Sequence, residues 1–209
     1  MNAISTRLTA ISGAYFVVAA LVGSRGPERT TVGLLVILSG LVALLVFLAY
    51  LHRLLSRDGG VRSCWLAMAT SCGLIFLALQ ASEIGYFGVV FQRSATGASA
   101  DLLADLTEAT FVASTLFFGL LLLSAAAATQ AQRVLPAWLT WPGMAVGALT
   151  TAAGALGAVS VESFLPLPYV AGLVWIGAVS VLLAVRPSRA APVEESEGLT
   201  GRADAVGRV

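Results

Sequence analysis

Residues 32–51, VGLLVILSGLVALLVFLAYL, run for twenty positions without a charge or a proline. A membrane-crossing α-helix needs about 20 mainly apolar residues, and this stretch has almost no polar face to turn towards water. Five further windows have the same character, at 8–24, 64–91, 109–129, 137–160 and 164–185. The expected fold is therefore all-α: a polytopic membrane protein with six transmembrane helices in one bundle. The expected domain is 1–186, followed by a disordered polar tail at 187–209. No cleavage-type pattern of small residues follows the first window, which reads as a retained helix rather than a signal peptide.

Composition agrees. Charged residues make up 11% of the chain, against about 25% in soluble domains, too few to clothe a water-facing surface. All twelve basic residues are arginines, which excludes lysine-imine chemistry. A net charge of +1 offers no basic field for nucleic acid. Cys64 and Cys72 stand about 12 Å apart along one helix, too far for a disulfide.

Arginine placement sets the expected orientation. With the N-terminus inside, Arg7, Arg53, Arg57, Arg62, Arg133, Arg186, Arg189, Arg202 and Arg208 fall on the cytoplasmic side, and Arg25, Arg29 and Arg93 outside. That bias predicts N-in, C-in, in a bacterial inner membrane. In the fifth window Gly143, Gly147, Gly154 and Gly157 are set among alanines, a surface that lets helix backbones approach closely. Pro142 is a candidate kink, and Trp138 and Trp141 are candidate headgroup-level anchors.

One charge interrupts the third window. Glu83 lies eight residues before Phe91, about 12 Å along a helix, so it sits within the outer half of the bilayer. Phe76, Gln80, Glu83 and Phe87 follow at steps of four, three and four and share one face, with Tyr86 adjacent. An ionisable group inside a membrane segment is a functional candidate by default; the structural alternative is a protonated acid bonded to Gln80, a serine or a carbonyl. Asp101, Asp105 and Glu108 recur at four and three residues on an amphipathic segment leading into the fourth window, and Glu162 lies in the last outer loop. Asp101 and Asp105 suit a solvated helix start, whereas Glu108 stands where the apolar run begins. Phe111 and Trp175 join as candidate wall residues of a pocket around Glu83; other aromatics (Tyr15, Phe16, Phe117, Phe118, Phe164 and Tyr169) read mainly as core or interface. The lone histidine, His52, excludes a histidine-cluster metal site, and no metal or cofactor is expected.

Desolvation disfavours the charged form of a carboxyl group. Glu83 is thus expected to stay protonated at neutral pH and to act as a Brønsted acid, with Glu108 as its partner. Aromatic faces attract positive charge, so Phe76, Phe87, Tyr86 and Phe111 could stabilise a carbocation formed from a lipophilic substrate, with Gln80 and Trp175 in the wall. The six windows and the inner-loop sequence Leu135-Pro136-Ala137-Trp138-Leu139-Thr140-Trp141 resemble small actinobacterial multipass membrane proteins. Size, hydropathy and the intramembrane acids resemble the membrane-bound terpene cyclases of prenylated-alkaloid and meroterpenoid pathways. That resemblance implies a metal-independent, protonation-started cyclisation with Glu83 as donor and Glu108 as partner. The DxDD box of soluble protonation-type cyclases is absent. The expected partners are a lipophilic small molecule entering from the bilayer, membrane lipids and, in a homo-oligomer, further copies of the chain. The competing class is a small transporter, channel-like protein or partner subunit, in which Glu83 would bind a cation or proton.

Overall fold

The computed structural model describes residues 3–23, 31–56, 61–93, 98–160 and 165–185. The tail at 187–209, Glu162 and Phe164 lie outside the described residues, as does the side chain of Phe87. Among the described residues there are six α-helices and no strand: α1 (Ala3–Gly23), α2 (Thr31–Leu55), α3 (Val61–Arg93), α4 (Ala98–Ala131), α5 (Ala137–Val159) and α6 (Leu167–Val185). Five carry stretches long and apolar enough to cross a membrane: Val32–Leu55, Cys64–Tyr86, Asp101–Ala131, Ala137–Val159 and Leu167–Val185. These mark a membrane protein. The apolar part of α1, Arg7–Gly23, is shorter.

Helix α4 outruns its apolar window furthest. Beside its apolar window at 109–129, α4 begins at Ala98, so the amphipathic segment with Asp101, Asp105 and Glu108 forms its first turns. At 34 residues, α4 is about 51 Å long and exceeds a hydrocarbon core of about 30 Å. Helix α5 continues unbroken through Pro142.

The outward faces are as apolar as the core. On α1, Leu8, Ile11, Tyr15, Val18 and Val22 are exposed at steps of three and four, one complete helical face. Leu35, Leu38, Val42 and Leu45 repeat this on α2. A helix that is apolar all round has no amphipathic contrast to orient it, so shape must decide what packs where. Each helix packs on the next in sequence, α1 also packs on α6, and α4 touches α6.

The closest approach is between α4 and α5. A Cβ added to Gly147 would lie 2.5 Å from the backbone nitrogen of Leu123, and one on Gly154 equally close to that of Leu116. Gly119 meets Thr151 in the same way from the other helix. These contacts are backbone against side-chain position, and backbone cannot give way. One turn before Gly147, Gly143 makes room for the Trp175 indole, whose Nε1 donates to Leu139 O at 2.8 Å. The Thr150 hydroxyl lies 3.0 Å from Pro168 O and ties the start of α6 to mid-α5.

Gly147→Ala is therefore expected to lower stability by about 1–3 kcal/mol through overpacking. By contrast, Gly85→Ala places its methyl where nothing lies within 4 Å and should gain up to about 1 kcal/mol from helix propensity. Unfolding of the two variants in mixed detergent micelles checks both signs.

Candidate functional site

The site begins with the register of the α3–α4 pair. Gly73 faces Leu121, the Phe76 and Phe118 rings meet at 5.0 Å, and Gln80 bonds Ser114. These contacts advance along α3 by the same steps by which they retreat along α4, as an antiparallel pair requires. One turn further, the register sets Glu83 level with Phe111, and one turn beyond that, Tyr86 level with Glu108.

A directed polar chain lies next to Glu83. Gln80 Nε2 donates to Ser114 Oγ at 2.9 Å, and Ser114 Oγ donates to Phe111 O at 2.8 Å. Gln80 and Ser114 are both buried. A serine hydroxyl has one proton, so its use on Phe111 O leaves the oxygen to accept from Gln80. Glu83 is half-buried, and its Oε2 is sealed from solvent.

Aromatic rings underlie this chain. Phe16 from α1 stands edge-on to Phe76, with centroids 6.4 Å apart. Phe76 meets Phe118 at 5.0 Å, Phe118 meets Tyr169 of α6 at 5.0 Å, and Tyr169 meets the edge of Phe111 at 5.5 Å. Phe76 and Phe118 are fully buried. Tyr169 is close enough to Glu83 for the two to interact electrostatically. Four helices thus supply the ladder.

The expected site residues divide accordingly. Gln80, Phe76 and Phe111 gather at the locus around Glu83. Tyr86 is half-buried one turn away, and Glu108 is exposed at the same level. Asp101 and Asp105 are exposed further along α4. Trp175 lies about 9 Å beyond Tyr169 along α6, engaged with α5. It borders a cavity of about 20 Å³ whose lining includes Leu44, Phe47, Leu121 and Ile176. An apolar void of that size stays dry. His52 is engaged between α2 and α3: its Nδ1 lies 3.1 Å from Thr70 Oγ1. The Thr70 proton goes to Leu66 O, so Nδ1–H is the donor. Among the described residues no three His, Cys, Asp or Glu side chains are grouped to hold a metal ion.

Ser114, Phe118 and Tyr169 were not singled out as site residues by sequence. A buried serine and threonine (Ser114 and Thr115) within an apolar run were the available signal for α4. Nothing in the sequence links Tyr169 to Glu83 across 86 positions. Comparison with protein-family models, characterised proteins and solved structures finds no match to the chain.

Ser114→Ala should cost about 1–3 kcal/mol, because the buried Gln80 amide loses its acceptor. Adding Gln80→Leu should recover part of that loss, giving a coupling energy of about 1 kcal/mol in a double-mutant cycle of unfolding free energies.

Proposed function

We propose that the chain forms a single bundle with six crossings, N-in and C-in, in a bacterial inner membrane, and that Glu83 is a Brønsted acid acting on a lipophilic substrate from the bilayer. The reaction is metal-independent ring closure of a prenylated substrate. The Glu83 proton passes to a terminal alkene carbon or epoxide oxygen, and an internal double bond attacks the cation so formed. Loss of a proton to the Glu83 carboxylate restores the acid and leaves an isomer of the starting material.

One observation carries this reading. The polar side chains at the locus, Glu83, Gln80 and Ser114, end on the fully buried pair Phe76 and Phe118. Beyond that pair come Gly73, Leu121 and the apolar cavity. A polar entry closed off by rings suits a carbocation guarded from water better than a path for ions. Glu108, exposed on α4, is the partner acid at the rim. The exposed Asp101, Asp105 and Glu108 favour a second reading, in which they concentrate cations for transport through Glu83.

Protein in lipid nanodiscs, given linear farnesylated acceptors and their terminal epoxides, is expected to yield a ring-closed isomer of unchanged mass. Glu83→Gln should slow this by about 10²-fold or more, with a smaller loss in Glu108→Gln. A panel yielding no isomer overturns the proposal. Proton-driven uptake into liposomes that vanishes in Glu83→Gln would establish transport instead.

A further inference from the structure

Side-chain hydrogen bonds link α1 to α2 through Tyr15 and Ser39, and α2 to α3 through His52 and Thr70, both at exposed positions. The Gln80–Ser114 bond between α3 and α4 is buried. A buried polar pair carries a desolvation cost that an apolar pair would not, so packing alone does not call for it. Its direction is fixed. The Ser114 proton goes to Phe111 O at 2.8 Å, so Ser114 Oγ is left only to accept, and Gln80 presents Nε2–H to it at 2.9 Å. A carboxamide turned the other way would set two acceptors against each other. The amide oxygen, Oε1, is therefore the end turned away from Ser114. Ser114 is fully buried and Gln80 is 9% exposed. Two neighbours give that oxygen a task. Glu83 stands three residues on along α3, a spacing that sets Cβ atoms about 5–6 Å apart. One turn the other way on the same two helices, the Phe76 and Phe118 rings meet at 5.0 Å. Aromatic faces and an amide oxygen both offer partial negative charge.

We propose that Ser114 is a positioning residue: by holding the Gln80 carboxamide in one orientation, it keeps the amide oxygen, and not the N–H end, for the positive charge that forms beside Glu83. The proposal rests on Glu83 protonating a lipophilic substrate. A dipole fixed before the reaction needs no reorganisation as charge develops. It stabilises the cation more than the neutral substrate, which is the differential that accelerates a step. Without the serine hydroxyl the amide is released to turn its N–H end to the same space, where it opposes the cation.

The test uses two unreactive ligands of one shape, an isoprenoid chain ending in trimethylammonium and the same chain ending in tert-butyl. Their Kd values are measured by competition on the full chain in lipid nanodiscs. Wild-type protein should prefer the ammonium, and the ratio of the two Kd values should fall about threefold to tenfold in Ser114→Ala. Ser114→Thr, which keeps a hydroxyl, should retain the preference. The double variant Gln80→Leu with Ser114→Ala has no carboxamide and should lose it, in a fold that keeps no orphaned polar group. Glu83 is the same in every protein, so its own attraction cancels in the comparison. Ring closure in Ser114→Ala should slow about threefold to tenfold in kcat with KM little changed. A packing defect would weaken both ligands alike and leave their ratio where it was. No preference in the wild type, or one that survives in Ser114→Ala or in the double variant, overturns the assignment. A preference lost with Ser114 in a protein that closes no ring leaves the positioning of Gln80 standing and removes the ring-closure reading alone.

Discussion

A backbone N–H or C=O left open in hydrocarbon costs several kcal/mol, and everything else in this protein follows from meeting that demand. All six elements close their backbone hydrogen bonds within themselves, and most hydroxyls do the same. Ser12, Thr70, Thr107, Thr110, Thr115, Ser124, Thr140, Thr151 and Ser180 all donate to a carbonyl three or four residues earlier on their own helix. A chain that satisfies its polar groups locally can be apolar on every outward face. The few polar groups that reach across to another helix then stand out.

Because lipid tails are as apolar as leucine, helix association here cannot rest on withdrawing apolar surface from water. Close shape complementarity takes its place. Helices α4 and α5 approach until Gly119, Gly147 and Gly154 touch opposing backbone, and Gly143 admits the Trp175 indole that bonds Leu139 O. Gly13 does the same where α1 meets α6, against Ser180. These contacts hold α6 in place and thereby carry Tyr169 to the rings of α4. The site depends on them although none of these glycines lies within it.

Around Glu83 the requirements of stability and chemistry diverge. Phe76, Phe118 and the Gln80–Ser114 bond are what a well-satisfied interior provides. The carboxyl group adds no packing that a leucine would not supply better, since burying an ionisable group costs free energy unless it is neutral or well partnered. It stands on α3 one turn beyond the Gln80–Ser114 bond, half-buried.

Much was legible in the residues alone. Helical structure, the membrane setting and the shared face of Phe76, Gln80 and Glu83 follow from apolar run length and a period of 3.6, which are properties of the local chain. The glycines of α5 signalled close packing without saying against which helix. Sequence reading paired Glu83 with Glu108 as the nearest acid on the next helix, whereas the α3–α4 register sets Phe111 at that level and Glu108 a turn away. The spacing of Asp101, Asp105 and Glu108 marked an amphipathic lead-in to the fourth apolar window, and α4 begins at Ala98. Which helices are neighbours, and at what axial offset, was decided by the tertiary structure alone. The reason is physical: helices apolar on all sides carry no pattern that names a partner. Only the fit of glycine gaps against opposing backbone, summed over the whole assembly, selects one arrangement, and that selection brought Ser114 to Gln80 and Tyr169 to the rings of α4.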